Sequence, residues 1–278
     1  MTRTFPSRLP LAVFGVLVCF FLAAPLVIIV PLSFTQSRAM EWPPVGFTVH
    51  WYDRVLSDAE WRSRVTASFE VGMGTAALAT ALGVPAALGL VRGRFPGKLV
   101  LSGLLLSPLV VPVVVVAIGM YFVWVLGWRV GPIAIGGNLA GTLLGLILAH
   151  TALTLPFPII MVSAALFTVD RNLERAAATL GASPAAVFRR VTAPLIQTGV
   201  VFGFVFAFLG SWDEYIVASF LTSAQVTTVP VGLFSQIKYA IDPNAAAVSA
   251  LLLAMSSLVL TLMLLRGGRQ LLGEGLKR

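Results

Sequence analysis

Charge is scarce in this sequence. Of its 278 residues, 11% are Asp, Glu, Lys or Arg, where a soluble domain typically carries about 25%. Helices with so few charges cannot all present a polar face to water, which excludes an ordinary soluble domain. Cysteine is scarcer still. Cys19 is the only one, so there is no intramolecular disulfide and no cysteine metal cluster. It lies in an apolar run and is expected to be a buried, inert thiol. Two histidines, His50 and His150, are too few for a histidine-based metal site. A phosphate-binding loop would read G-x-x-x-x-G-K-[ST]. The nearest approach, "GRFPGKL" at Gly93–Leu99, has its glycines one residue too close and Leu99 after Lys98. The chain therefore binds no ATP by that route. Neither H-E-x-x-H nor G-x-S-x-G occurs, and no cluster of ionisable groups marks one membrane face. The expectation is a chain with no catalytic residue, no metal and no cofactor of its own. Fixed-period repeats and low-complexity tracts are also missing.

What the chain has is apolar length: 58% of its residues are hydrophobic. Runs of about 20 apolar residues read as membrane spans. They fall at 10–33, 67–91, 99–126, 140–167, 197–221 and 246–266. The fold class expected is all-α, a polytopic membrane protein with six transmembrane helices forming one domain over 1–278. The first span resembles a signal peptide, with Arg3 and Arg8 ahead of it, but no charge follows until Arg38. That is too long for a signal h-region of about 7–15 residues. A seventh span at 215–237 is the rival reading. "LTSAQVTTVP", ending in Pro230, suits a turn or re-entrant segment better. The outer segment 34–66 reads as an interfacial cap, with Trp42, Trp51, Tyr52 and Trp61 as belt residues.

The excess of basic residues, 19 against 11, sits at span ends and so carries topology rather than nucleic-acid binding. With both termini cytoplasmic, the inside segments hold 13 basic residues: Arg3, Arg8, Arg92, Arg94, Lys98, Arg171, Arg175, Arg189, Arg190, Arg266, Arg269, Lys277 and Arg278. The outside segments hold 6: Arg38, Arg54, Arg62, Arg64, Arg129 and Lys238. The positive-inside bias favours this orientation in a plasma membrane.

The longest inside segment, Thr168–Pro194, differs from its surroundings. "LERAAATLGAS", Leu173–Ser183, has a helix-forming stretch followed by Gly181, a residue that tolerates positive φ at a helix C-terminus. Ser183 then suits an N-cap and Pro184 the first helical position. A second helix, "PAAVFRRVTA", is expected to start there and to close at Pro194. This gives a helix–turn–helix with one small-residue face. The plain alternative is an interfacial hairpin with Arg189 and Arg190 on lipid phosphates.

This region resembles the EAA loop of ATP-binding cassette importer permeases: E-A-A, three residues, G, then I-x-L-P. Ala176, Ala177, Gly181 and Pro194 match. Arg175 stands at the motif glutamate, Glu174 is one place early, and "VTAPLI" replaces the usual ending. "SFEVGMGTAALATALGVPAALGLVRGRFPGK", "LLLSPLVVPVVVVAIG" and "HTALTLPFPIIMVSAAL" are similar to the same family, and within it the chain resembles the second permease of spermidine/putrescine-type importers. The resemblance implies a type I importer fold. It also implies a different permease chain as the other half of the pore, a dimer of ATPase subunits that bind ATP and Mg, and an extracytoplasmic solute-binding protein. Segment 168–195 would be the coupling loop, with Leu173, Glu174, Arg175, Ala176, Ala177, Leu180, Gly181, Ser183 and Pro184 seated on the ATPase. The solute implied is a small cation, a polyamine; related permeases carry opines, phosphonates, amino-acid-like solutes or sugars. A gradient-driven secondary transporter would want an internal repeat, and a non-transporting scaffold would want no polar path.

Ionisable groups inside the membrane are functional candidates because burying them is costly. Glu70 can reach the interface. His150 is expected to be neutral and hydrogen-bonded to a neighbouring helix. Asp213 and Glu214 lie in "SWDEYIVASFLT". Counted from residue 197, Asp213 is roughly 24 Å along a hydrocarbon core about 30 Å thick. Adjacent residues on a helix point about 100° apart, so one carboxylate at most faces a pore squarely. The pair is either structural, held by helix N–H groups or a partner's arginine, or a transient cation site shared with Trp212 and Tyr215.

Overall fold

The computed structural model describes residues 9–130, 133–239 and 242–275. The terminal residues Arg3, Arg8, Lys277 and Arg278, used above for orientation, lie outside that set. The chain divides into two compact units, Met1–Arg62 with Leu233–Met255, and Ser63–Gly232 with Ser256–Arg278.

The first unit opens with α1 (Leu9–Leu32), apolar around its whole circumference and without a buried residue in its most apolar stretch. Cys19 is exposed on it, contrary to the buried thiol expected. The polar segment that follows folds on itself. Thr48 N–H donates to Phe34 O and Gln36 N–H to Val45 O. This segment leads to α2 (His50–Ser57), whose Trp51 is buried and donates its indole N–H to Thr35 O at 2.7 Å. Trp51 and Trp61 are thus core residues rather than belt residues. An indole can be buried here because a backbone carbonyl meets its N–H.

The second unit holds most of α3 (Ala59–Arg92), then α4 (Lys98–Leu106), a short 3-10 turn (Ser107–Leu109) and α5 (Val113–Leu126). A small hairpin, β1 (Trp128–Val130) against β2 (Ile133–Ile135), joins α5 to α6 (Leu143–Thr154) and α7 (Pro156–Thr168). Next come α8 (Arg171–Thr179), α9 (Pro184–Val187), a π-helical turn (Phe188–Thr192), α10 (Ala193–Trp212), α11 (Ile216–Leu221), α12 (Val229–Tyr239) and α13 (Pro243–Gly275). The last two extend into both units.

Four helical runs are long and apolar enough to cross a membrane: Pro10–Leu32, Ala59–Arg92, Pro184–Trp212 and Pro243–Met263. Two bent pairs bring the number to six if each is one span. The expected span 99–126 is broken by 100° between Leu109 and Val113. Pro112 causes this, since it lacks an N–H and pushes Val111 out of helical geometry. The expected span 140–167 bends by 43° at Leu155, where Pro156 and Pro158 withdraw two backbone donors. The fifth span differs most from expectation. Pro194 does not close a helix before it: the helix runs from Pro184 through the π turn to Trp212, and stops there instead of at 221. A π turn shifts the hydrogen-bond register, which lets a proline follow without breaking the axis.

Helices α7 and α10 pack closely along their length. A Cβ at Gly203 would stand 2.6 Å from Pro158 Cα, and one at Gly199 would stand 2.7 Å from Met161 O. These two positions set the close approach. Leu166, Val162 and Ile196 fill one core with Ala87 of α3, and Leu146, Ala149, Val71 and Val217 fill another.

Candidate functional site

The polar helix pair folds as its residues dictate. Asp170 caps α8, its carboxylate accepting from Asn172 N–H at 2.9 Å. At the far end Gly181 has φ +86. Its N–H donates to Ala178 O and that of Ala182 to Ala177 O, the paired bonds of a left-handed C-terminal motif. Ser183 Oγ then accepts from Ala186 N–H at 3.3 Å and Pro184 opens α9. Leu173, Arg175, Ala176, Leu180, Ser183 and Pro184 are exposed, Leu180 by 89%. Leu173, Ala176 and Leu180 fall on one helical face. Ala177 is half-buried on the other. An apolar strip open to solvent within a polar segment is the form of an interaction surface.

Glu174 points the other way. Its Oε1 lies 3.5 Å from Arg92 Nη2 and accepts from Thr192 Oγ1 at 3.0 Å. Arg92, at the end of α3, also donates to Val169 O at 3.2 Å. Arg171 answers it, donating to Val91 O at 3.3 Å and Arg92 O at 3.2 Å. These carbonyls end α3 and have no intrahelical partner, so a guanidinium suits them twice over, as donor and as cation at the negative helix end. Arg175, at the motif's glutamate position, stays on the outside with Asn172 Oδ1 at 3.5 Å. Sequence reasoning misses Arg92 and Thr192 as site residues; from the sequence Arg92 is only a topology charge. A cavity of about 480 Å³ lies beneath the pair, lined by Leu88, Arg92, Glu174, Phe188 and Thr192 among others.

The second site is the break after Trp212. Glu214 acts as a helix cap: Oε1 accepts from Val217 N–H and Oε2 from Ala218 N–H, both at 2.9 Å. That is why an apolar run continuing to Leu221 nevertheless restarts as a new helix: a carboxylate satisfies the first free N–H groups of α11. His150 is fully buried on α6, with Nδ1 2.8 Å from Ser211 Oγ on α10 and Nε2 3.5 Å from Glu214 Oε2. Asp213 is exposed. Asp213, Glu214 and Tyr215 line a cavity of about 420 Å³ with Pro108, Thr154, Phe157 and Gly210. Trp212, the fourth candidate, does not line it. It is buried, stacked on Phe208 with ring centroids 5.8 Å apart. Among the described residues no group of three or more His, Cys, Asp or Glu side chains is placed to hold a metal ion.

Residues 79–267 match the family described as binding-protein-dependent transport system inner membrane component. The chain belongs to this family. It is an inner-membrane, multi-pass permease of an ATP-binding cassette importer, a pore subunit and not an enzyme. The putrescine transport system permease protein PotI of Escherichia coli (strain K12) is 32% identical over 241 residues, 86% of this chain and 84% of that one. The spermidine/putrescine transport system permease protein PotC of the same strain is 29% identical over 238 residues, 85% of each chain. The molybdenum transport system permease protein ModB of Mycobacterium bovis is 34% identical over 232 residues, 80% of this chain and 86% of that one. In fold, the permease is similar to a chain from a bacterial ABC transporter involved in import of the acidic polysaccharide alginate. The TM-score is 0.65 at 15% identity, covering 96% of this chain and 99% of that one.

Proposed function

We propose that this permease forms half of a pore for a small cationic solute, a polyamine, with a different permease chain as the other half. An extracytoplasmic protein delivers the solute, and a dimer of ATPase subunits holds ATP and Mg. Both chain termini lie in the cytoplasm. The observation that carries the solute assignment is Asp213, a carboxylate open to a cavity at the break in a membrane helix, with Tyr215 and Glu214 on the same wall. An ammonium group is attracted to such a carboxylate and an aromatic face adds to it, whereas an anionic solute would be repelled. The cargoes named for PotI and PotC agree in sign with this wall; ModB, of similar identity, is a relative with a different cargo.

Segment 168–195 is the coupling loop in this reading. Leu173, Ala176 and Leu180 present the apolar strip to the ATPase, and Gly181 and Ser183 fix the angle at which Pro184 and α9 leave it. Closure of the ATPase dimer moves α8 and rocks the bundle between inward- and outward-open states, a common transporter solution. The test is affinity purification of this chain in detergent. A nucleotide-binding subunit and a second permease are expected to come with it; purification of the chain alone, or with copies of itself only, overturns the reading.

Orientation is tested by thiol labelling in intact cells, in a Cys19→Ala background. A membrane-impermeant reagent is expected to reach Ser57→Cys but not Ala185→Cys, two exposed positions on opposite sides in this topology. Ala185 is used because Ser183 caps α9. External labelling of Ala185→Cys reverses the orientation and removes the ATPase contact with it.

A further inference from the structure

We infer that Glu174, Arg92, Arg171 and Thr192 form a two-way clasp that carries displacement of α8 to the inner ends of α3 and α10, with Glu174 as its positioning hub. The inference rests on the coupling-loop reading above and adds the route by which force leaves that loop. The geometry supplies it. Arg92 reaches from α3 to Val169 O and Glu174, on the near side of α8. Arg171 reaches back from α8 to the last carbonyls of α3. Two arginines crossing in opposite directions tie the end of α3 to the start of α8, so α3 follows when α8 is drawn away. Thr192 ties the same carboxylate to the π turn from which α10 continues. π turns recur at functional sites in helices, and this one stands where the coupling loop enters a membrane helix.

The clasp has a second arrangement open to it. Arg92 Nε is buried without a hydrogen-bond partner among the described residues. A rotation that brought this N–H to Glu174 would complete a paired, two-bond contact of the kind guanidinium and carboxylate favour. An element with two arrangements is what coupling between distant sites needs. The clasp also accounts for a glutamate one residue ahead of the motif position. From 174 the side chain faces α3, whereas from 175 it faces outward, where Arg175 is.

The test compares solute imported per ATP hydrolysed in proteoliposomes holding the assembled importer, with putrescine as solute. Glu174→Ala and Arg92→Ala are expected to retain the ATPase subunit on purification and to hydrolyse ATP, while import per ATP falls about fivefold or more, the size of a typical coupling between sites. The exchanged pair Glu174→Arg with Arg92→Glu is expected to recover part of that ratio, which a loss of folding would not. Thr192→Val removes one arm of the clasp and is expected to give a smaller fall. An unchanged ratio in both alanine variants overturns the clasp. So does loss of the ATPase subunit from these variants alone, since Glu174 would then serve docking and not transmission. Absence of the ATPase subunit from the unaltered chain is a different result and overturns the coupling-loop reading instead.

Discussion

Gly181→Val is expected to abolish solute-stimulated ATP hydrolysis while the protein still inserts in the membrane. Gly181 has φ +86 and ends α8 through two backbone hydrogen bonds. A β-branched residue there is strained by roughly 1–3 kcal/mol. Beyond its chain neighbours, no atom of the described residues lies within 4 Å of the Cβ it would gain, so the cost comes from the backbone and not from a clash. Relief of that strain turns α9 away from α8 and tilts the strip of Leu173, Ala176 and Leu180 off its seat. Gly181→Asn separates this cause from general damage, because asparagine accepts the left-handed region better than other side chains, and it is expected to keep most of the stimulation. Ala176→Trp, which adds bulk on the exposed face, is expected to behave like valine at 181. Stimulation at the unaltered level in both Gly181→Val and Ala176→Trp contradicts the coupling assignment.

Asp213→Asn is expected to lower putrescine uptake about tenfold, equivalent to about 1.4 kcal/mol, with basal ATP hydrolysis unchanged. The effect is bounded because a site inside a pore must release what it binds. Glu214→Gln is expected to act differently. Glu214 spends both oxygens on the N–H groups that start α11. Removing its charge weakens that cap, so the readout is the thermal stability of the purified complex, lowered by about 0.3–1 kcal/mol. Full uptake by Asp213→Asn, by Glu214→Gln and by the double variant leaves both carboxylates with a structural role.

The membrane class and the number of apolar runs were legible because charge depletion over about 20 residues needs no tertiary information. The turn between α8 and α9 was legible too: Gly181 and Ser183 announce a positive-φ stop and an N-cap, and both are found there. The span breaks were harder. Pro112 and Pro156 were visible, but a proline in a membrane helix is accommodated or breaks the axis according to its neighbours. The stop at Trp212 was missed because Ile216–Leu221 continues the apolar run, and only the placement of Glu214 over Val217 and Ala218 shows that a second helix begins. Trp212 is a site candidate by its place next to Asp213, yet adjacency along a helix end does not fix direction, and it turns into the core against Phe208. The pairing of Glu174 with Arg92 joins residues 82 positions apart, a separation that spacing arguments do not reach.

The most direct measurement is putrescine uptake into proteoliposomes containing this chain with its copurified subunits and loaded binding protein outside. Uptake is expected only when ATP and Mg reach the cytoplasmic face, and it is expected to persist when ionophores collapse the ion gradients. Uptake without ATP that disappears on adding an ionophore contradicts the account and makes the chain a gradient-driven transporter.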